Sequence, residues 1–284
     1  MAGMNTHFSC GGTPGVQTAR MKLSLSGRLF ESAKGYTLGL EDFLGFAKET
    51  GYAGVEIRYP QLPMESPTGK LQRVKQLLRD LGLTWVFGTV EGITDDKLFE
   101  RSLRTMDNNL SCGCLFTRFT ITNPGQIPLA QKFADAAAKR GARLVMQLHA
   151  NTLPDNVPHT LDTMQKIDRP NVGLTYEANH LVFDGDRKYA DAVAKLAKHI
   201  VLVSVQNFKP PAPNTPKEET FAINDKPWMR ALPGDPEAID FPPVFRALKK
   251  IGFDGFVTVM TDAVPGMDSR ELARRYQQFL SPLL

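Results

Sequence analysis

The stretch "NVGLTYEANHLVFDGDRKYADAVAKLAKH", residues 171–199, holds one strand and one helix. Val172, Leu174 and Tyr176 alternate with smaller residues, which predicts a strand over 171–177. "RKYADAVAKLAKH" (187–199) has the spacing of a helix. Glu177 and His180 sit between them, where the strand runs out. A carboxylate and an imidazole placed there are a common way to deliver a metal or acid–base site.

The same unit recurs in both directions. Upstream lie "KLSLS" (22–26) with "LGLEDFLGFAKETG" (38–51), and "AGVEIR" (53–58) with "GKLQRVKQLLRDLG" (69–82). "LTWVFGTV" (83–90) is followed by "DDKLFERSLRTMDNNL" (95–110), and "CLFTRFTI" (114–121) by "PLAQKFADAAAKRG" (128–141). "RLVMQLH" (143–149) then pairs with "TLDTMQKI" (160–167). Downstream, "IVLVSVQ" (200–206) leads through a long Pro-rich loop to "FPPVFRALKKIG" (241–252), and "GFVTVMT" (255–261) to "DSRELARRYQQFL" (268–280). Eight strand–helix units favour a parallel sheet, and at this length they are what a closed (β/α)8 TIM barrel requires. A doubly wound open sheet would want a Gly-rich phosphate loop after the first strand, and "SLSGRLFES" (24–32) is not one. Residues 21–284 are therefore read as one barrel domain. Residues 1–20, rich in Gly, Thr and Ser, are read as an N-terminal extension.

The bulk numbers exclude more than they assign. A net charge of +4 on 284 residues, with no clustered basic patch, argues against nucleic acid as a partner. No stretch is apolar enough to span a membrane, and the N-terminus lacks the pattern of a signal peptide. Three cysteines (Cys10, Cys112, Cys114) make no disulfide framework, and "SCGC" lacks the further ligands of a zinc site. A reduced, cytoplasmic compartment is expected.

In a barrel of this kind the active mouth lies at the C-terminal strand ends. Those ends carry Arg28, Glu56, Arg58, Thr89, Glu91, Arg118, Gln147, His149, Glu177, His180, Ser204, Gln206, Asn207, Met260 and Thr261. So many polar groups point to a polar ligand.

Four segments together resemble the xylose-isomerase-like barrels, a family of sugar phosphate isomerases and epimerases that shares its fold with the apurinic-site endonucleases. They are "GYAGVEIR" (51–58), "PNVGLTYEANHL" (170–181), "KHIVLVSVQNFK" (198–209) and "RALPGDPEAIDFPPVFRALKKIGFDGFVTVM" (230–260). The resemblance implies a divalent metal held by Glu, Asp, His and Glu from the fifth to eighth strands. Carried over by position, those ligands become Gln147, Glu177, Ser204 and Met260. One carboxylate, an amide, a hydroxyl and a thioether are a poor set for Mn or Mg, which prefer anionic oxygen. Gln and Met also cannot carry the proton that paired carboxylates would. A two-residue slip in the eighth strand would bring Asp262 to the mouth, at the cost of the fit of "GFDGFVTVM".

The expected site therefore has no metal and no cofactor. Glu177, His149 and His180 are the candidate proton-transfer groups. They could also meet as a two-His, one-carboxylate set, a combination used by non-heme iron and some zinc sites; Mn, Mg or Zn is the alternative cofactor. Arg28, Glu56, Arg58, Arg118, Gln147, Ser204, Asn207, Trp228 and Arg230 are the candidate binding residues. The arginines suit an anionic or sugar-like ligand, and Trp228 in the long loop suits a pocket wall. Arg58 could equally pair with Glu56. The expected function is that of a sugar or polyol isomerase/epimerase-like protein with a degenerate metal site. The alternative is a non-catalytic carbohydrate-binding or accessory subunit. An endonuclease is disfavoured by the few acidic ligands and the lack of a basic face. The resemblance also suggests a homo-oligomer.

Overall fold

Strands form where apolar residues alternate: β1 (Lys22–Ser26), β2 (Gly54–Ile57), β3 (Thr84–Thr89) and β4 (Phe116–Arg118) in the first half. β5 (Leu144–Gln147), β6 (Val172–Tyr176), β7 (Ile200–Val205) and β8 (Phe256–Val259) complete the set. The computed structural model describes residues 20–183 and 185–284. Each strand runs parallel to its sequence neighbours, and β8 pairs back onto β1 to close the barrel, with Lys22 opposite Phe256 and Leu25 opposite Val259. The outer helices are α1 (Leu40–Glu49), α2 (Thr68–Leu81), α3 (Asp96–Ser111), α4 (Ile127–Ala138), α5 (Val157–Ile167), α6 (Tyr189–Leu196), α7 (Phe241–Lys250) and α8 (Ser269–Leu280). The chain is thus a single-domain (β/α)8 barrel. The extension read over residues 1–20 falls, apart from Arg20, outside the described residues.

The two-residue period of the strands sorts side chains to two sides. Leu23, Leu25, Val203, Val205, Val257 and Val259 share one apolar cluster with Phe43, Leu44, Leu248 and Leu272 of the helices. Between them, on the inner face, Phe87, Phe116, Val145, Leu202 and Met260 form a second, smaller cluster. Two residues beyond Phe116 and Val145 come Arg118 and Gln147; four beyond Leu202 comes Gln206. The bore is therefore apolar below and polar at its mouth.

Helix ends follow their capping residues. The Asp95 side chain accepts from Leu98 N at 2.9 Å and starts α3. Asn156 accepts from His159 N, so α5 begins three residues before the apolar spacing of 160–167 shows. Gly51 and Gly82 take the left-handed conformation after α1 and α2, with φ of 87° and 63°. Two expectations needed correction. The fourth strand ends at Arg118, not at 121, because after Phe119 the chain leaves β5 and Ile121 pairs instead with the loop at Leu153. The Pro-rich loop after β7 is partly ordered as a three-stranded sheet of Phe208–Lys209, Thr220–Ile223 and Lys226–Arg230. Its hairpin turns at Asn224 and Asp225, both at positive φ (52° and 57°), as a tight two-residue turn demands. Among the described residues no helix is long and apolar enough to cross a membrane.

Gly54 marks a close approach of three strands. A Cβ there would lie 2.7 Å from Val86 Cγ2 and 2.9 Å from both Phe256 Cε1 and the Thr84 carbonyl oxygen. Gly54→Ala is expected to lower stability by about 1–3 kcal/mol through overpacking. Urea unfolding measures it, and an unchanged midpoint would show that β2, β3 and β8 are not packed this tightly.

Candidate active site

A cavity of about 310 Å³ opens at the C-terminal ends of the strands. That volume suits one small ligand. One side is charged and polar: Arg28, Arg118, Gln147, His149, His180, Gln206, Arg230 and Asp262. The other is apolar: Phe183, Phe208, Phe221 and Ile223. The apolar wall comes from three places. Phe183 ends the short helix Ala178–Phe183, Phe208 follows β7, and Phe221 and Ile223 belong to the hairpin. Phe183 and Phe208 rings lie 5.0 Å apart, and Phe208 and Phe221 5.2 Å.

Glu177 follows β6 directly and is fully buried. It does not line the cavity; it lies behind the residues that do. Its Oε1 accepts from Gln147 Nε2, and its Oε2 from Gln206 Nε2 at 3.2 Å and Asn179 Nδ2 at 3.5 Å. His180 Nε2 stands 3.1 Å from Oε2. Burial by itself pushes the Glu177 carboxyl up. The His180 contact and the fields of His149 and Arg118 outweigh it and hold the group below the usual carboxylate value.

The backbone of Ala150 assigns the two imidazole tautomers. Its N–H donates to His180 Nδ1 at 3.2 Å, so in the neutral ring the proton sits on Nε2, on the Glu177 side. Its carbonyl accepts from His149 Nδ1 at 2.6 Å, which leaves His149 Nε2 with a lone pair. The two rings lie 3.8 Å apart, centre to centre. Burial, reinforced by the neighbouring His180, pushes His149 down to about 4. His149 is thus neutral at pH 7 and able to accept a proton.

The rim holds an ion triplet. Asp262 bridges Arg28, 2.5 Å from its Nε, and Arg230 Nη2. Burial would raise the Asp262 carboxyl, but Arg28 and Arg230 together hold it below the usual value. Asp262 reaches the mouth without any slip of the eighth strand, because the chain leaves β8 three residues earlier. Arg118 lies deeper and donates through Nη1 to Gln147 Oε1 at 2.7 Å.

The other residues expected in the site stand elsewhere. Glu56 is fully buried, accepting from Ser26 Oγ, with Arg58 Nη1 at 3.6 Å. Arg58 pairs with Glu31 at 3.2 Å as well, so neither residue lines the cavity. Ser204 sits one layer below Gln206, beside Thr258, and its short side chain stops there. Asn207 ties the loop after β7, donating to Leu232 O and accepting from Ile239 N, both at 2.9 Å. Trp228 packs edge-on to Phe183 with ring centres 5.0 Å apart, backing the wall without forming its surface. Sequence reading missed the lining residues Phe183, Phe208, Phe221 and Ile223. The "AINDKP" turn (222–227) was the available signal for the hairpin that carries two of them.

The four positions that would hold the metal do not fit one. The Gln147 amide oxygen is already taken by Arg118, whose Nη1 also stands 3.4 Å from Met260 Sδ. Ser204 lies a layer too deep, and the Glu177 oxygens are occupied by amide donors. Among the described residues no three His, Cys, Asp or Glu side chains converge as a metal site, so His149, His180 and Glu177 do not form the two-His, one-carboxylate set.

The sequence pattern of the family described as "Xylose isomerase-like TIM barrel" matches residues 129–283. An inosose dehydratase from Geobacillus thermodenitrificans is 30% identical over 155 residues, 52% of this chain and 50% of that protein. The alignment thus spans about half the length of that relative. The rhizopine catabolism protein MocC of Rhizobium meliloti is 23% identical over 253 residues, 80% of this chain and 75% of that protein. Among solved structures, the probable 3-DHS dehydratase AsbF involved in petrobactin synthesis, from Bacillus anthracis, superimposes with a TM-score of 0.73. The match covers 92% of this chain and 99% of that one at 17% identity, and it shows the shared fold.

His149 links the site to stability. Its value falls from 6.5 to about 4 on folding. Between those pH values the unfolded chain binds a proton that the folded chain does not, so stability drops as pH falls through this window. Wild-type protein should lose more Tm between pH 7 and 4.5 than His149→Gln, by about 2–4 °C for each kcal/mol of linkage. Equal losses would show that His149 is not held neutral by the fold.

Proposed function

This chain belongs to the xylose isomerase-like TIM barrel family, and on that premise we propose that it is an enzyme that modifies a small sugar or polyol by proton transfer. The observation that carries the reading is the pair of histidines fixed in opposite tautomers by Ala150. Among the described residues nothing donates to the His149 Nε2 lone pair at the cavity, and Glu177 behind His180 supplies a buried negative charge. When His149 takes a proton from a carbon beside a carbonyl, that charge stabilises the imidazolium. Protonation of the opposite face of the same carbon would be an epimerisation; protonation of the adjacent carbon, with the enediol O–H proton passing from one oxygen to the other, would be an isomerisation. The relative that is 30% identical over 155 residues is named an inosose dehydratase. A small sugar or polyol has CH faces for Phe183 and Phe221 and hydroxyls for Gln147, Gln206 and the arginines. The reading dispenses with the divalent metal of the family, whose ligand positions are degenerate here.

A second reading has one observation in its favour. Glu177 is sealed beneath Gln147 and Gln206, away from the cavity surface. A non-catalytic binding protein would need nothing more from it than to hold that floor.

The two readings separate in one assay. Protein dialysed against EDTA is incubated in D2O with keto sugars and inososes, and exchange at the carbon beside the carbonyl is followed by NMR. Exchange is expected, with His149→Gln slower by about 10²–10⁴-fold. Glu177→Gln should also slow it, and should cost about 1–3 kcal/mol of stability, since an amide donor then faces the donors of Gln147 and Gln206. No exchange with any compound would favour the binding protein.

The active form carries unprotonated His149. The kcat/KM profile should therefore be flat near neutrality and fall on the acid side with a midpoint of about 4. An acid limb near 6.5 would exclude His149 as the base.

A further inference from the structure

Four guanidinium groups gather at the mouth, and three are already paired. Arg28 and Arg230 share Asp262, and Arg58 is held by Glu31 and Glu56. Arg118 differs. Among the described residues no carboxylate oxygen lies within ion-pair distance of it. Both direct contacts, the Gln147 amide oxygen and the Met260 sulfur, are uncharged and both use Nη1. Among the described residues Nε and Nη2 find no acceptor. They are not sealed off either, since Arg118 lines the cavity.

Its place in the barrel is equally specific. Arg118 ends β4, and Met260 follows β8, which is four strands away in either direction around the ring. The guanidinium therefore reaches across the bore. Glu56 on β2 and Glu177 after β6 stand at the ends of the crossing diameter. Burial lowers the Arg118 value, and the fields of Arg58 and Arg28 add to it; the fields of Glu56 and Glu177 oppose this without reversing it. Each of those carboxylates is held by other donors, so neither can rotate onto the guanidinium without leaving a hydrogen bond.

We propose that the Nε–Nη2 edge of Arg118 is a docking site for a ligand carboxylate, so that the substrate is a small hydroxylated carboxylic acid. Such an edge matches a carboxylate with two parallel N–H···O bonds. Arg118 then supplies, at the barrel axis, the fixed positive charge for which the family's metal positions no longer provide ligands. The remaining hydroxylated carbons extend toward His149 and the apolar wall. This deepens the proposed function, because it names the substrate class of the same cavity.

The test is binding and needs no turnover. EDTA-dialysed protein is titrated calorimetrically with D-glycerate, D-erythronate and D-gluconate, and with glycerol, erythritol and sorbitol as matched neutral probes. At least one acid should bind, about 10–100-fold tighter than its alcohol, the range for a charge-assisted pair. Arg118→Gln should abolish that preference. Arg118→Lys, which keeps the charge but loses the fork, should retain only part of it. Equal affinity for acid and alcohol, binding of none of the acids, or a requirement for added Mn²⁺ would each overturn the proposal. The wild-type comparison stands even if the variants fold poorly. With the 2-keto forms of these acids added to the NMR assay, acid binding without exchange on any compound would remove the enzymatic reading and leave Arg118 as the carboxylate site of a binding protein. Exchange on neutral sugars without acid binding would do the reverse.

Discussion

Two carboxylates buried on opposite sides of one bore are the constraint around which the mouth of this barrel is organised. Glu56 and Glu177 are both fully enclosed, and an enclosed carboxylate is costly unless donors and a nearby positive charge compensate it. Ser26 donates to the first, and Gln147 and Gln206 to the second. Arg118 crosses between them and places its charge in the field of both.

The cavity above inherits its character from that floor. Arg118, Gln147, His149 and Gln206 of its polar side stand at or just past strand ends, whose positions the ladder sets, while His180 and Arg230 share a short helix and a hairpin with Phe183, Phe221 and Ile223 of the apolar side. Phe183 joins the two by packing on Phe208 and Trp228 at once. The result is a small space with one face for hydroxyls or charge and one for carbon. Within it, one peptide unit at Ala150 sets the proton positions of two histidines. Neither imidazole can change tautomer without breaking a bond to the backbone.

Much of this was legible in the sequence. Eight strand–helix units and the placement of Glu177, His149, His180, Arg118 and Gln147 at strand ends follow from periodicity and from the barrel geometry it implies. So does the chemical mismatch at Gln147, Ser204 and Met260, since residue type alone shows that an amide, a hydroxyl and a thioether suit a hard cation badly. The limits were those of pairing. Arg28, Arg58, Arg118 and Arg230 look alike on a strand-end list. Which of them has a carboxylate partner depends on Asp262, Glu31 and Glu56, and on rotamers that no local pattern encodes. Asn207 shows the same limit, since its side chain binds a loop rather than a ligand.

By itself, then, the sequence determined the barrel, its family and the inventory of groups at its mouth. Those depend on residue type and on a short repeating period, both of which are local. Only the tertiary structure decided that Glu177 lies behind the cavity, that His149 turns its Nε2 lone pair away from the Ala150 carbonyl, and that, among the described residues, Arg118 alone of the four mouth arginines has no carboxylate partner. Each of those is a relation between residues far apart in the chain. Distance, burial and the geometry of a hydrogen bond exist only once the strands have closed into a ring.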